Sequence, residues 1–269
     1  MGEIHSATAF SVQCDSTRND IQAGIRHVKI ICLWSGPRNV STALMYSFAQ
    51  RPDTSVIDEP LYGHFLRVSG ANHPGRAEVM ESMNCDGGAV MDKLIDLPPD
   101  DPVEVLFLKQ MAHHLMDIDR EFLDRMDNVL LIRDPSEMLP SLTRNLPQAG
   151  LLDTGLAVQS QLYQDLVERG QQPAIVDSRE LLLDPASVLM QLCQHLDLDF
   201  DVDMLSWPAG RREEDGIWEK HWYEAVHQST GFAPHQAKSD FPDDLRELLN
   251  ECQPYYDALY CNALRAERR

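Results

Sequence analysis

One stretch of the chain limits its possible folds more than any other: residues 28–48, VKIICLWSGPRNVSTALMYSF. Residues 28–34 are almost all apolar, which is typical of a strand covered on both faces in a parallel sheet. Val40, Ala43 and Leu44 then begin an apolar pattern with the spacing of one helix face, and Phe48 continues it. The stretch therefore predicts a buried strand, a short polar loop and a helix.

Four more short apolar runs follow this unit, each bounded by polar or turn residues. They cover residues 54–57, 104–109, 128–133 and 173–177. Helical patterns lie between and after them: a Gly-rich region closed by the turn at residues 98–101, a helix that Asp184 caps and Pro185 begins, and a final helix over residues 242–265. This alternation predicts an α/β fold of three layers with a central, mostly parallel sheet, whose ligands bind at the carboxyl ends of the strands.

Composition limits the partners and the location that we expect. A net charge of -20 over 269 residues argues against binding to nucleic acid or an anionic membrane, because both need a broad basic surface. The six cysteines are scattered without a C-x-x-C pair, which predicts free thiols in a reducing compartment. We therefore predict a soluble, cytoplasmic protein without a signal peptide or membrane span, monomeric or homodimeric. Residues 1–27 are predicted to form a flexible arm and residues 28–269 a single domain.

The loop at residues 35–42, SGPRNVST, has the chemistry of an anion site. Gly36 permits a tight turn, and the planar guanidinium of Arg38 suits phosphate or sulfate oxygens. Ser41 and Thr42 bring hydroxyl and N–H groups to a helix start, where the helix dipole favours an anion. The lysine-containing Walker A pattern is missing from the loop. The alternative is a capped helix that simply follows a strand.

A second motif is NVLLIRDPSEMLPS, residues 128–141. Asp134 is a good helix cap and Pro135 suits the first helical position, so a helix is predicted to begin there. Arg133 ends the preceding strand, which directs it toward the ligand edge of the sheet. Ser141, two turns along the helix, would complete a phosphate site. The alternative is a well-started helix with an arginine beside it.

Together the two motifs resemble those of the sulfotransferases that use 3'-phosphoadenosine 5'-phosphosulfate (PAPS). In that family a P-[RK]-S-G-T-[ST] loop binds the 5'-phosphosulfate, and residues 37–42 overlay it with Asn39 and Val40 in place of Ser and Gly. The family also has an arginine at a strand end and a serine eight residues later, which bind the 3'-phosphate. Arg133 and Ser141 have this spacing. The resemblance implies a P-loop sulfotransferase fold, PAPS as cosubstrate and no metal.

Two weaker matches extend the resemblance over about residues 28–220. Residues 173–198 are similar to the family's strand, Y-E-D-L-x-x-D-P turn and helix, with Ser178 in place of a tyrosine that stacks on adenine. Residues 211–220, RREEDGIWEK, are similar to the R-K-G-x-x-G-x-W loop that closes over the cosubstrate, with Glu213 in place of a glycine. The resemblance implies these cosubstrate-binding residues: Gly36, Pro37, Arg38, Asn39, Val40, Ser41, Thr42, Arg133, Ser141, Ser178, Arg211, Arg212, Gly216 and Trp218.

The resemblance also implies the reaction, which is transfer of a sulfuryl group to a hydroxyl of a small-molecule acceptor. Arg38 would stabilise the leaving 5'-phosphate, and a general base would take the hydroxyl proton. Some branches of the family have a catalytic glutamate where Glu59 stands, with Asp58 as a substitute if the register differs by one. The alternative for Glu59 is a solvated carboxylate before a helix that Pro60 begins.

Another branch of the family uses a histidine in K-x-H after the third strand. Here Lys109 is followed two residues later by Met111, and His113 and His114 come next. These histidines are therefore the second candidates for the base, and a helix start is their alternative. Lys109 either contacts the sulfuryl group or reaches water from a strand end.

Other functions and one segment stay open at this point. The rivals are a P-loop phosphotransferase or nucleotide hydrolase, and a nucleotide-binding module that has lost catalysis. The acidic composition favours neutral or cationic acceptors over polyanionic glycans. Residues 216–232 predict either an amphipathic helix with Trp218, Trp222 and Val226 on its packed face, or a lid whose aromatic residues wall a pocket. The histidines of this segment form no compact ligand set, so no metal is predicted.

Overall fold

The structure, a computed structural model, describes residues 28–96, 103–236 and 240–267. The predicted arm over residues 1–27 and the turn at residues 98–101 lie outside these ranges. The five cysteines in the described part, from Cys32 to Cys261, are free thiols. No helix within the described ranges is long and apolar enough to cross a membrane.

The described residues form a sheet of five parallel strands in the order β2-β3-β1-β4-β5. The strands are β1 (Lys29–Ser35), β2 (Thr54–Asp58), β3 (Val105–Met111), β4 (Asp127–Ile132) and β5 (Ala174–Asp177). Ser35 of β1 pairs with Met111 of β3, so the carboxyl ends of neighbouring strands meet at one edge. The predicted α/β fold with a parallel sheet is confirmed.

Helices cover both faces of this sheet. They are α1 (Ser41–Phe48), α2 (Tyr62–Ser69), α3 (Arg76–Ser82), α4 (Gly87–Ile95), α5 (Pro135–Asn145), α6 (Leu151–Thr154), α7 (Leu156–Glu168), α8 (Ser178–Leu183), α9 (Pro185–His195), α10 (Glu219–Trp222), α11 (Glu224–His227) and α12 (Arg246–Tyr260). Short 3-10 helices lie at Ala112–Leu115, Glu121–Arg125, Val202–Leu205 and Asp243–Leu245.

Strand β1 shows why the sequence run is apolar without alternation. Cys32 and Trp34 point to one face and pack among residues of α5, α7 and α12. Ile31 and Leu33 point to the other face and pack among residues of α1 and α9. Successive strand residues face opposite sides of a sheet, so a strand between two helical layers needs apolar residues at both.

The predicted helix caps are confirmed in detail. The Asp134 carboxylate accepts a hydrogen bond from the N–H of Ser136 (2.8 Å) and Pro135 begins α5. Asp184 accepts in the same way from the N–H of Ser187 (3.2 Å) at the start of α9. Each cap satisfies a first-turn N–H that has no partner inside the helix.

The final helix is shorter than predicted. Pro242 keeps an extended backbone, and after the 3-10 turn α12 runs over Arg246–Tyr260 instead of residues 242–265. Beyond Tyr260 the chain turns back to the sheet, where the N–H of Leu264 donates to the carbonyl of Ile175 in β5 (2.8 Å). This hydrogen bond to the edge strand takes the place of further helical ones.

Candidate functional site

The loop between β1 and α1 lies at the carboxyl edge of the sheet and is tightly packed. A Cβ at Gly36 would lie 2.9 Å from the carbonyl oxygen of Thr154, so a larger residue does not fit there. Val40 precedes α1 and offers no side-chain acceptor to its first turn. The helix therefore begins without a side-chain cap, and Ser41 and Thr42 lie in its first turn next to N–H groups that suit an anion.

The side chain of Asn39 ties the loop to the neighbouring strand. Its Nδ2 donates to the carbonyl of Leu131 in β4 (3.0 Å), and its Oδ1 accepts from the N–H of Val40 (2.9 Å). Gln159 of α7, which sequence reasoning missed, donates to the carbonyls of Trp34 (3.0 Å) and Leu131 (2.9 Å). These contacts hold the ends of β1 and β4 together beneath the loop.

The two sequence motifs meet at this point. Nε of Arg38 donates to Oγ of Ser141 (2.9 Å), and Nη1 of Arg133 donates to the backbone carbonyl of Arg38 (2.8 Å). Arg38 has a positive φ of 53°, in the left-handed region that non-glycine residues rarely occupy. Nε of Arg133 is buried and has no hydrogen-bond partner within the described residues. The geometry leaves the guanidinium of Arg38 exposed and that of Arg133 half-buried at one edge of the sheet.

Positive charge is concentrated here in spite of the acidic composition. Partial burial lowers the pKa of Arg38, and the nearby charges of Arg133 and Arg144 lower it further. Arg144 was missed by sequence reasoning, although it follows Ser141 by three residues, the spacing of neighbours on one helix face. Glu137, 3.6 Å from Nη2 of Arg133, offsets part of this charge, and an anion beside Arg38 would offset more of it.

A second cluster lies where β2 and β3 end. Nζ of Lys109 donates to Oδ1 of Asp58 (3.0 Å), to Oε1 of Glu59, and to the hydroxyl of Tyr223 (2.8 Å). Lys109 is 2% exposed and Glu59 is 8% exposed. The alternatives of a lysine that reaches water and of a solvated glutamate are therefore wrong, because the fold buries both side chains.

Burial and the neighbouring charges shift the pKa values of both Glu59 and Lys109. Burial raises the pKa of Glu59, the pull of the Lys109 ammonium lowers it, and the Asp58 charge raises it again, so the pKa stands above its usual value. Burial alone would lower the pKa of Lys109, but the Asp58 and Glu59 carboxylates raise it well above its usual range. Lys109 is therefore protonated. The backbone of Glu59, at the end of β2, has a positive φ of 42°.

His113 and His114 lie in the 3-10 turn after β3, next to the second cluster. Nε2 of His114 is 3.8 Å from Oε2 of Glu59, beyond hydrogen-bond distance. Burial lowers the pKa of His113 to about 4 and that of His114 well below its usual value. Both rings are neutral at pH 7, and Tyr62 stacks on His114 with ring centroids 5.3 Å apart.

Residues 211–227 cross the ends of β2 and β3 as a segment held by two buried carboxylates. The N–H of Gly216 donates to Oδ2 of Asp58 (3.2 Å), and so does the Tyr223 hydroxyl (2.7 Å). Asp215 directly precedes Gly216, and its Oδ1 accepts a hydrogen bond from the Tyr46 hydroxyl (2.6 Å). Tyr223 and Asp215 were missed because their roles depend on partners more than 150 residues away in the chain.

The single amphipathic helix predicted for this segment is wrong. Two four-residue helices, α10 and α11, take its place, with Trp218 buried before them and Trp222 38% exposed. The bonds to Asp58 and Asp215 hold the chain in turns that a continuous helix does not allow. Arg211 is exposed and lies 3.2 Å from a carboxylate oxygen of Glu219.

Arg212 and Ser178 occupy different surroundings. The Arg212 guanidinium stacks on the ring of Tyr46, 4.5 Å from its centroid, beside the segment's anchor to α1. Ser178 begins α8 at the end of β5; it is 1% exposed, and its hydroxyl has no partner among the described residues. Asp177 caps the same helix, and burial raises its pKa to about 6.

Comparison with known proteins places this geometry in a family. Residues 28–263 match a family model described as a sulfotransferase domain. The chain belongs to the sulfotransferase-domain family. The class of activity associated with this domain is transfer of a sulfuryl group. Within the described residues, no group of three or more His, Cys, Asp or Glu side chains could hold a metal ion.

Two curated relatives of this sulfotransferase domain come from Arabidopsis thaliana. They are named branched-chain-amino-acid aminotransferase-like protein 2, which is 39% identical over 237 residues, and protein 1, which is 39% identical over 233 residues. The matches cover 87% and 86% of this chain. The chain spans about two fifths of these relatives, 42% and 41% of their length.

Solved structures similar to this sulfotransferase domain share little of its sequence. One is the sulfotransferase domain of the curacin biosynthetic pathway, with 15% identity, a TM-score of 0.47, and 85% of this chain and 98% of that chain covered. Another is the sulfotransferase domain of the Synechococcus PCC 7002 olefin synthase, with 18% identity, a TM-score of 0.45, and 83% and 93% covered.

Proposed function

We propose that the chain transfers a sulfuryl group from PAPS to a hydroxyl of a small-molecule acceptor. The observation that carries this proposal is the hydrogen bond from Arg38 to Ser141, because it joins the two anion-binding motifs at one edge of the sheet. Membership of the sulfotransferase-domain family supports it. Cytoplasmic location and a single domain over residues 28–269 stay predictions.

In this proposal two groups of residues bind the two ends of the cosubstrate. The loop over residues 36–42, with Arg38, binds the 5'-phosphosulfate. Arg133 and Ser141 bind the 3'-phosphate, and Arg144 adds a third guanidinium whose charge reaches Arg38. Residues of the 211–227 segment close over the adenosine. The acceptor is neutral or cationic, because the acidic composition repels polyanions.

The reaction is an in-line displacement at sulfur. The acceptor oxygen forms a bond to sulfur while the bond from sulfur to the bridging 5'-phosphate oxygen breaks. The electron pair stays on that oxygen, which leaves as part of adenosine 3',5'-bisphosphate, and Arg38 stabilises its charge. The hydroxyl proton of the acceptor goes to the general base.

Glu59 is the base in this proposal. It lies at the carboxyl end of β2, and its carboxylate has fewer hydrogen-bond donors than that of Asp58. The raised pKa of Glu59 suits a group that accepts a proton near neutral pH. His114 is buried among aromatic rings, and Lys109 uses all three ammonium hydrogens on protein acceptors. For Lys109 to contact the sulfuryl group directly, its ammonium group would have to break one of these three hydrogen bonds.

The names of the curated relatives raise a different chemistry, that of an aminotransferase. Such enzymes use an unprotonated lysine that forms a Schiff base with a cofactor. Lys109 is the buried lysine of this site, and its two carboxylate partners hold it protonated. An aminotransferase role for this lysine is therefore not supported.

Ligand binding and turnover together test the proposal. Adenosine 3',5'-bisphosphate at a hundredfold excess over its Kd is expected to raise the melting temperature by about 5–10 °C, and more than ADP or Mg-ATP does. Greater stabilisation by Mg-ATP would favour the phosphotransferase instead. A mass-spectrometric screen of alcohols with PAPS should then find an added sulfuryl group. Binding without transfer to any alcohol would favour a non-catalytic module.

A further inference from the structure

Two adjacent carboxylates, Asp58 and Glu59, share one ammonium group, but they are not equally satisfied. Asp58 accepts hydrogen bonds from Lys109 (3.0 Å), the Tyr223 hydroxyl (2.7 Å) and the N–H of Gly216 (3.2 Å). Among the described side chains Lys109 alone donates a hydrogen bond to Glu59, and Nε2 of His114 lies 3.8 Å from its carboxylate. Two negative charges against one positive charge leave a net negative charge in a buried place.

The hydroxyl of Tyr223 sits between these charges. It accepts hydrogen bonds from Lys109 (2.8 Å) and from Nε1 of Trp218 (3.2 Å), and it donates to Asp58. Tyr223 is 4% exposed, so water does not replace these bonds. Because Lys109 has three ammonium hydrogens and three acceptors, the position of each acceptor decides where the positive charge points.

We propose that Tyr223 is a positioning residue of the sulfotransferase site, whose hydroxyl holds the Lys109 ammonium between Asp58 and Glu59 and so sets the proton affinity of Glu59. The proposal rests on the proposed function, in which Glu59 is the base. In this proposal residues 211–227 have two roles. They close over the cosubstrate, and through Tyr223 they set the proton affinity of Glu59.

Loss of the Tyr223 hydroxyl should change the proton affinity of Glu59 in one direction. Without it Asp58 has one donor fewer and draws the ammonium closer, so Glu59 receives less of the positive charge and binds its proton more tightly. The titratable groups that face Glu59 and Lys109 from the surrounding elements are Asp58, Tyr62, His114 and Tyr223. The Tyr223→Phe variant removes the Tyr223 hydroxyl and leaves the other three groups in place.

Tyr46 provides a matched control within the same segment. Its hydroxyl also donates to a buried carboxylate, Asp215, which directly precedes Gly216, and so anchors residues 211–227 at a second point. In the described residues no hydrogen bond joins Tyr46 to Lys109 or Glu59, although the Asp58 charge contributes to the raised pKa of Tyr46. Tyr46→Phe therefore loosens the segment to a similar degree without removing a ligand of the ammonium group.

The experiment is an NMR pH titration of the full chain labelled with [δ-13C]glutamate, in which Glu59→Gln assigns the signal of Glu59. In Tyr223→Phe the midpoint of Glu59 should rise by about one pH unit, the size of one lost hydrogen bond to a charged group. Tyr46→Phe should leave the midpoint unchanged. Asp58→Asn, which removes the competing charge, should lower it.

The outcomes separate this proposal from the function on which it rests. An unchanged midpoint in Tyr223→Phe, or an equal rise in Tyr46→Phe, would overturn the positioning role. If Tyr223→Phe fails to fold, an unchanged midpoint in Asp58→Asn would overturn it as well. Because the titration needs no turnover, it stands even if Glu59→Gln proves active, which would contradict Glu59 as base. With turnover in hand, the acid limb of the kcat/KM profile should shift with the midpoint.

Discussion

Nε of Arg38 donates a hydrogen bond to Oγ of Ser141 at 2.9 Å, across 103 residues of chain. The carbonyl of the same Arg38 accepts from Arg133 (2.8 Å), so both motifs share one loop residue. The two motifs are therefore close enough for one nucleotide with phosphates at two positions to contact both, as the proposed function requires.

Replacement of Arg133 should weaken cosubstrate binding. Arg133→Ala removes a guanidinium and its hydrogen bond to the loop, and we expect the Kd of adenosine 3',5'-bisphosphate to rise about 10- to 100-fold. Isothermal titration calorimetry measures this. Arg169→Ala is the control, because Arg169 pairs with Asp124 (2.7 Å) before β5 starts, away from the carboxyl edge. Equal losses in both variants would contradict a phosphate role for Arg133.

Replacement of Glu59 should separate catalysis from binding. Glu59→Gln keeps the shape of the side chain and removes its ability to accept the proton, so turnover should fall by about 10²- to 10⁴-fold. The Kd of adenosine 3',5'-bisphosphate should stay within a factor of about two. Glu78→Gln, which breaks the exposed pair with Lys220 (2.6 Å), should keep full turnover. An active Glu59→Gln enzyme would move the base to Asp58, His113 or His114.

Gly36 should tolerate no side chain. In Gly36→Ala the new Cβ would meet the Thr154 carbonyl at 2.9 Å, which displaces the loop and destabilises the fold by about 1–3 kcal/mol. Urea unfolding should show a lower free energy of unfolding, and the Kd of adenosine 3',5'-bisphosphate should rise. Gly88→Ala is the matched control, because its Cβ meets nothing closer than 3.5 Å in α4 and alanine favours a helix. A Gly36→Ala variant that binds and unfolds like the parent would show that the loop moves freely.

Asp177 should make stability depend on pH. Burial raises its pKa from 3.8 to about 6, so the folded state binds its proton more tightly than the unfolded state does. The stabilising contribution is complete below about pH 4 and is lost as the pH rises to about 6. Asp177→Asn keeps a capping oxygen for α8 and should gain about 3 kcal/mol over the parent at pH 7.5, but only about 1 kcal/mol at pH 4.5.

Urea unfolding at the two pH values measures this difference. Asp184→Asn shows the effect of the same substitution at another capping position, because Asp184 caps α9 from a half-buried position. If the gain of the Asp177 variant over the parent is the same at both pH values, burial of the Asp177 carboxylate carries no cost.

The local structure of the chain was predictable because its causes are local. The continuous apolar run of β1, the caps Asp134 and Asp184, and the prolines that follow them depend on residues within a few positions. The order of strands and helices followed from the same patterns, and with it the parallel sheet. Predictions failed where contacts with residues distant in the chain determined the local structure, as at the ends of α12 and in residues 216–232.

The candidate site divides in the same way. By itself the sequence determined the two motifs that we propose bind anions, the eight-residue spacing from Arg133 to Ser141, and the acidic residues at the end of β2. The tertiary structure alone decided that Arg38 contacts Ser141, that Lys109 is buried between Asp58 and Glu59, and that Tyr223 joins them. These facts concern burial and charge, which depend on what the fold brings together and on how much water it removes, and no spacing along the chain records either.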